Sequence, residues 1–217
     1  MTPGIDVGEL VAQYQLDRFM ELVAIFVGGL AGGLAGIRKG FDFFGVLVLA
    51  WIAALFGGVL RDVMIGALPP VGISDWTLLV AAVAGGAIVY FLYPKVASQQ
   101  RAIIILDAFA MALFVWIGTM KGMDRGVGWV AAAMVGVLTG IGGGVVRDLL
   151  TGSLPLVLTD RQYYAIPACL GAIATVACYA QGWVGPIAAT SVVAGVAGFR
   201  LLALKFHWAV PAPPPPT

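Results

Sequence analysis

The chain has 217 residues, of which 61% are hydrophobic and 11% charged; its mean hydropathy is +1.00 and its formal net charge is +1. Soluble globular proteins are nearer half apolar and a quarter charged, so this composition excludes a soluble monomer and predicts an integral membrane protein. The small net charge argues against a nucleic-acid partner, which would need a clustered basic surface.

Seven apolar segments are long enough to cross a membrane as helices, which takes about 20 residues. In chain order they are residues 19–37, 43–60 with an extension to 68, 76–93, 102–120, 127–150, 163–180 and 184–204. The connections between them are short, and no stretch has the composition of a separate soluble domain. The sequence therefore predicts a single all-α membrane domain with a polar N-terminal segment, residues 1–18, and a proline-rich tail, residues 206–217.

One motif occurs twice, 86 residues apart. The string GGVLRDVMIGALP at residues 57–69 returns as GGVVRDLLTGSLP at residues 143–155. Around it the predicted correspondence shifts by other amounts: Asp17 would match Asp107 with a shift of 90, and Lys39 would match Lys121 with a shift of 82. These shifts predict small insertions between otherwise similar blocks.

The duplication predicts two repeats, residues 19–95 and 101–182, followed by a seventh helix at residues 184–205. A unit of three spans enters the membrane from the opposite side the second time, so the repeats are expected to be inverted. Basic residues near the span ends set the orientation. One side collects Arg38, Lys39, Lys95, Arg101, Arg161, Arg200 and Lys205, and the other Arg18, Lys121 and Arg125. The amino terminus is therefore expected outside and the carboxyl terminus in the cytoplasm.

Glycines interrupt the second and fifth spans just before the charged pair of each motif. They are Gly57 and Gly58 in the second span, and Gly142, Gly143 and Gly144 in the fifth. Each mid-helix glycine costs about 1 kcal/mol relative to alanine. We therefore expect both helices to be broken there, with freed backbone groups available to an ion that sheds its water. The alternative is that the glycines only allow helices to pack closely.

The charged pairs Arg61-Asp62 and Arg147-Asp148 end the same two spans. Charge at membrane depth is tolerated where it is paired or lines a cavity. Inverted symmetry permits crosswise pairing, Arg61 with Asp148 and Arg147 with Asp62, and this is the pairing we predict. The alternative places all four residues at the lipid headgroups.

Four further charged residues are candidates for the two pore mouths: Asp17, Asp107, Lys39 and Lys121. For Asp17, capping of a helix amino terminus is an equally good interpretation. Asp107 lies within an apolar run, where a carboxylate is more often functional. The sequence has no metal-ligand cluster, catalytic nucleophile motif or phosphate-binding loop, so it predicts no enzyme, no resident metal and no cofactor.

Small residues at residues 28–36 of the first span, GGLAGGLAG, form overlapping small-xxx-small patterns. Such patterns let helix backbones approach each other in membranes. The contact could lie within one protomer or between subunits, and packing alone explains the pattern.

The doubled motif Gly-Gly-x-x-Arg-Asp-x-x-x-Gly-x-Leu-Pro in spans two and five resembles the prokaryotic trimeric intracellular cation (TRIC) channel family, whose bacterial members are also labelled glycine-transporter domains. The resemblance covers about residues 19–204. It implies a homotrimer in the prokaryotic inner membrane, in contact with lipid, with one pore in each protomer.

In this resemblance the kinked second and fifth helices line the pore, with Gly57, Gly58, Arg61, Asp62, Gly142, Gly143, Gly144, Arg147 and Asp148 as the matching positions. The permeant ion would be potassium, or sodium. The chain lacks the Lys-Glu-Val and Lys-Glu-Gly triplets of the animal members, which makes a phosphoinositide requirement doubtful.

Two functions are consistent with these residues. The first is a passive monovalent-cation channel. The second is a carrier for a small zwitterion such as glycine, in which the two Arg-Asp pairs would bind a carboxylate and an ammonium group while the repeats rock.

Overall fold

A computed structural model describes residues 7–96, 100–159 and 163–208. Within these residues the chain is all-helical, without strands. The helices are α1 (Val7–Arg38), α2 (Phe43–Met64), α3 (Val71–Ser74), α4 (Trp76–Val96), α5 (Gln100–Asp124), α6 (Trp129–Leu150), α7 (Leu156–Thr159), α8 (Ala165–Ala180) and α9 (Pro186–Lys205). Arg161 and most of the proline-rich tail lie outside the described residues.

Five helices in the described residues are long and apolar enough to span a membrane. They are Tyr14–Arg38, Phe43–Met64, Ala102–Asp124, Trp129–Leu150 and Pro186–Lys205. The predicted third and sixth spans also form helices, but their apolar parts are shorter, at Trp76–Leu92 and Ala165–Ala180. The chain is therefore an all-helical integral membrane protein with five clear spans and two shorter apolar helices.

Local sequence explains where the second span begins and ends. At its start, the Asp42 carboxylate accepts a hydrogen bond from the Gly45 backbone nitrogen at 2.7 Å, which caps α2. At its end, Gly66 adopts a positive φ of 67°, a conformation that ends helices. The predicted extension of this span to residue 68 is therefore wrong, because the helix stops at Met64 before this turn.

From the end of the first helix through the second, each half of the chain follows the other with a shift of 86 residues. Helices α1 and α5 end at Arg38 and Asp124, and α2 and α6 run over Phe43–Met64 and Trp129–Leu150. The predicted shifts of 90 and 82 are therefore wrong for these helices. The short similar strings that suggested them, around Asp17 and Lys39, do not lie in equivalent positions of the two halves.

The glycines of the first span serve packing within the protomer. A Cβ added at Gly29 would collide with the carbonyl oxygen of Ala82 in α4, and one at Gly33 would lie 2.9 Å from the Gly86 Cα. On the adjoining face of α1, a Cβ at Gly32 would lie 3.0 Å from the Ala50 Cα in α2. Helix α1 therefore contacts α2 and α4 backbone to backbone, as small residues allow.

Helix α5 lies at the centre of the described helices. Its Trp116 is fully buried among side chains of α1, α2, α4 and α9, and its Val115 is fully buried against α8 and α9. Because α5 is enclosed on several sides, charged groups on it are held away from lipid. This places Asp107 and Lys121, both on α5, in protein surroundings.

Candidate functional site

Helices α2 and α6 cross at two glycines. A Cβ added at Gly57 would collide with the carbonyl oxygen of Thr139, and one added at Gly143 would collide with that of Ala53. Gly57 comes after Ala53 in α2, but its partner Thr139 comes before Gly143 in α6. The two helices therefore run in opposite directions where they cross. The two contacts are equivalent under the shift of 86, since Gly57 matches Gly143 and Ala53 matches Thr139. Each helix therefore places its own glycine against a carbonyl of the other.

The predicted breaks in these helices are wrong. Helix α2 remains helical through Gly57 and Gly58, and α6 remains helical through Gly142–Gly144. The missing side chains permit the close crossing, while the backbone keeps its helical conformation. The structure thus supports the packing alternative for Gly57 and Gly143.

A first ion cluster lies at the carboxyl end of α2. The Arg61 Nε donates to Asp62 Oδ1 at 2.8 Å, and an Arg61 Nη2 donates to Glu21 Oε1 in α1 at 3.2 Å. The Lys121 Nζ in α5 also donates to Asp62 Oδ1, at 2.8 Å. The second carboxylate oxygen of Asp62 accepts from the Val71 nitrogen at 2.9 Å. Two cations and two carboxylates therefore form a neutral cluster in which Arg61 is 1% exposed.

A second ion cluster lies at the carboxyl end of α6. The Arg147 Nε donates to Asp148 Oδ1 at 3.0 Å, and its Nη1 donates to Asp107 Oδ1 at 2.6 Å. The Tyr164 hydroxyl donates to Asp107 Oδ2 at 2.8 Å, and the Leu156 nitrogen donates to Asp148 Oδ2 at 2.9 Å. Arg147 is 2% exposed and both carboxylates are 8% exposed, so the cluster is buried.

The predicted crosswise pairing is wrong. Each arginine pairs with the aspartate next to it, Arg61 with Asp62 and Arg147 with Asp148. The reason is the antiparallel crossing, which puts the two carboxyl ends on opposite sides of the glycine contact. All four side chains are buried inside the protomer, none of them more than 8% exposed.

Glu21 is the acidic residue that matches Asp107, and the sequence interpretation missed it. Each lies 40 positions before the arginine it contacts, Arg61 or Arg147. Extending the motif's shift of 86 one helix upstream would have found this match in place of Asp17. Asp17 is half-buried near the start of the apolar part of α1.

The two clusters differ in the residues that complete them. Lys121 contributes to the first, whereas the corresponding position for the second is Ala35. Tyr164 contributes to the second, whereas the corresponding position for the first is the buried Leu78. Arg200 of α9 lies beyond Tyr164, with its guanidinium carbon 4.7 Å from the ring centroid.

Two cavities meet at Arg147. The central cavity, about 20 Å³, lies at the glycine crossing and holds about one water. It is lined by Gly28, Ala31, Ala53, Ala54, Gly57, Asp107, Ala110, Met111, Phe114, Thr139, Gly140, Gly143, Gly144 and Arg147. The Asp148 cavity is larger, about 270 Å³, and is lined by Ala35, Arg38, Lys39, Ile103, Ile104, Arg147, Asp148, Thr151, Ser153, Leu154 and Leu156. Arg147 therefore separates a narrow central space from a wider one that includes the exposed Lys39.

An ion pair between α1 and Asp75 fixes the loop before α4. Arg18 lies 2.5 Å from the Asp75 carboxylate and also hydrogen-bonds the Thr77 hydroxyl. The hydrogen bond that Thr77 donates through its hydroxyl is the chief cause that lowers the pKa of Asp75, with Arg18 adding to the effect. Within the described residues, no group of three His, Cys, Asp or Glu side chains is placed to hold a metal ion.

The profile of a protein family described as "Glycine transporter" matches the chain twice, over residues 18–94 and 104–180. The two matches are displaced by the same 86 residues. The UPF0126 membrane protein SCO4104 of Streptomyces coelicolor is 40% identical over 91% of this chain and 89% of its own length. The UPF0126 inner membrane protein YadS of Escherichia coli K12 is 31% identical over 90% of this chain and 95% of its own.

Solved structures share the fold. The TRIC trimeric intracellular cation channel orthologue from Rhodobacter sphaeroides has a TM-score of 0.83 and 28% identity, covering 88% of this chain and 98% of that chain. A structure from work on conductance through TRIC cation channels has a TM-score of 0.82 and 24% identity, covering 92% and 98%. From the profile and these relatives, the chain belongs to the glycine transporter family of membrane proteins, and it has the fold of prokaryotic TRIC channels.

Proposed function

We propose that the chain is a passive monovalent-cation channel that conducts chiefly potassium and also admits sodium. The observation that carries this proposal is the likeness to the Rhodobacter sphaeroides channel orthologue, which extends over 98% of that chain at a TM-score of 0.83.

The proposed pore lies within one protomer and is lined by α2 and α6. Its narrowest part is the central cavity, where Gly57 and Gly143 expose backbone rather than side chains. Arg61-Asp62 and Arg147-Asp148 stand at its two ends, and the neighbouring Gly58, Gly142 and Gly144 complete the proposed lining. With room for about one water, the central cavity must widen before a hydrated ion passes.

Four charged residues in or near the two clusters form the proposed pore mouths. Lys121 stands at the first mouth and is 28% exposed, while Lys39 lines the Asp148 cavity at the second. Asp107 lies between Arg147 and Tyr164, and Asp17 lies upstream of the first cluster on α1. Because buried carboxylates and cations nearly balance, a permeant cation would find acceptor oxygens without a large net repulsion.

We propose further that the protomer has seven membrane-crossing helices, as two inverted three-helix repeats and a seventh. Support comes from the twofold match of the family profile and from the reciprocal crossing of antiparallel α2 and α6. The 16-residue α8 is about 24 Å long, which is short for a crossing and would fit a locally thin or protein-lined region.

The proposed assembly is a homotrimer in the bacterial inner membrane, with the amino terminus outside and the carboxyl terminus in the cytoplasm. Support comes from the trimeric description of the channel orthologue and from the inner-membrane relative of Escherichia coli. Mass measurement in nanodiscs should give three protomers, and a dimer would contradict the proposal.

Purified protein in planar bilayers and proteoliposomes tests the channel. Potassium should carry unitary currents that reverse near the potassium equilibrium potential, with sodium carrying smaller currents and chloride none. Potassium-loaded liposomes without protein are the control. An absence of unitary currents from trimeric, folded protein would refute a channel.

A carrier for a small zwitterion is the second candidate, favoured by the description of the matching family. It predicts saturable uptake of labelled glycine in exchange for internal glycine, without unitary currents. The two assays therefore separate the candidates on the same protein preparation.

A further inference from the structure

One lysine distinguishes the carboxylates of the two clusters. In both, one oxygen accepts from the arginine Nε, at 2.8 Å for Asp62 and 3.0 Å for Asp148, and the other accepts from a backbone nitrogen at 2.9 Å. Asp62 Oδ1 has one further donor from another helix, the Lys121 ammonium at 2.8 Å, whereas Asp148 Oδ1 lies 2.9 Å from a second nitrogen of its own arginine, Arg147 Nη2. For Asp148 the corresponding residue is Ala35, which has no donor on its side chain.

The space that a lysine would need at position 35 is open. Ala35 and Asp148 both line the Asp148 cavity, whose volume of about 270 Å³ far exceeds that needed for one water. Arg200, the other buried cation near the second cluster, contacts Tyr164 and is not part of this lining. The first cluster is thus filled by its own ammonium group, while the equivalent place beside Asp148 is a cavity.

We propose that the Asp148 cavity binds a primary ammonium group, held by Asp148 as Asp62 holds Lys121. An ammonium group offers three donors to carboxylate and hydroxyl oxygens, and Thr151 and Ser153 line the same cavity. The group can belong to a simple cation such as methylammonium or to an amino acid. For an amino acid, the exposed Arg38 and Lys39 on the lining suit the carboxylate at its other end.

The inference goes beyond conduction, because binding at this cavity requires no ion flux. Lys39 could compete with an external ligand for Asp148, because it lines the same cavity and carries an ammonium group of its own. Among the described residues it forms no ion pair, and its side chain is exposed. The lining carries three cations, Arg38, Lys39 and Arg147, against the Asp148 carboxylate, so an external ammonium group must be held by direct contact with Asp148 and not by the net charge of the cavity.

Thermal unfolding of the full-length protein in nanodiscs tests the proposal. Methylammonium chloride should raise the Tm, as any ligand of the folded state does, and tetramethylammonium chloride at equal concentration should not, because it has no N–H donor. Glycine against trimethylglycine is the matched pair for the zwitterion. A stronger response to glycine than to methylammonium identifies an amino acid, and equal responses identify the ammonium group alone.

Substitutions at Ala35 give the sharpest comparison. Ala35→Lys should supply the missing ammonium, unfold at a higher temperature than the similarly long Ala35→Met, and lose the response to methylammonium. Asp148→Asn should also lose the response. An undiminished response in Ala35→Lys, or equal responses to methylammonium and tetramethylammonium, would overturn the proposal.

Two further results are decisive. A response that appears only in Lys39→Ala would mean that Lys39 fills the site, which also overturns the proposal. Potassium currents are measured on the same preparation, so the two proposals fail separately: currents without a methylammonium response reject the ammonium site, and a response without currents rejects the channel.

Discussion

Replacing Gly143 by alanine tests the crossing of α2 and α6. The new Cβ would lie against the Ala53 carbonyl oxygen, a backbone atom that no rotamer change can move. Restoring a normal contact requires the helices to separate by about 1 Å, and overpacking of this kind costs about 1–3 kcal/mol. Gly142→Ala is the matched control, since its Cβ would meet the Gly57 Cα at an ordinary 3.5 Å.

The control should be neutral or stabilising by up to about 1 kcal/mol, because alanine is the better helix former. The two variants should therefore differ by about 1–4 kcal/mol, or roughly 2–16 °C in Tm for a chain of this size. Thermal unfolding in detergent, followed by loss of trimer on size-exclusion chromatography, measures the difference. Equal Tm values for Gly143→Ala and Gly142→Ala would refute the crossing as described.

Three further predictions concern the charged groups. Double-mutant cycles on the free energy of unfolding should give a coupling of at least about 1 kcal/mol between Arg61 and Glu21, and near zero between Arg61 and Asp148. A larger coupling for Arg61 with Asp148 than with Glu21 would instead support the crosswise pairing. Tyr164→Phe should lower stability by about 1.5–3 kcal/mol, since it removes a hydrogen bond to a buried carboxylate; an unchanged Tm would contradict this bond. The pKa of Asp75 is lowered in the folded state, so its contribution is present above its unfolded pKa of about 3.9 and is lost as the pH falls through the lower folded value. Below about pH 4, the free energy of unfolding should therefore depend less steeply on pH in Asp75→Asn than in the unaltered protein. Identical slopes for the two proteins would argue against this contact.

The sequence was sufficient for the class of fold because hydropathy and helix length directly reflect membrane thickness. The positions of α2 and α6 were predicted closely, and the motif that ends them does form the two buried clusters. What the motif could not reveal is how two helices approach each other. A glycine that breaks a helix and a glycine that receives a neighbouring carbonyl look the same in one chain, as Gly57 and Gly143 demonstrate.

The partners of the arginines depended on three-dimensional information of a different kind. Glu21 lies a whole helix away from the motif, and only a constant shift of 86 connects it to Asp107. Similar short strings, such as those around Asp17 and Lys39, suggested other shifts that the helix bounds do not support. Nothing in the repeat pattern pointed to Tyr164 as a partner of Asp107, because the corresponding residue in the first half is the apolar Leu78.

The antiparallel crossing also determines the distance between the two ion clusters across the protein. Since Gly57 faces Thr139 and Gly143 faces Ala53, the level of Arg147 corresponds to about position 49 of α2, twelve residues before Arg61. At about 1.5 Å per residue the two arginines are at most about 18 Å apart along the helix, against about 30 Å for the hydrocarbon core. Outside them lie the partly exposed Lys121 and the Asp148 cavity. A transmembrane voltage would therefore fall mainly across this shorter distance, so that a small displacement of either cluster would move its charges through a large fraction of the electric field.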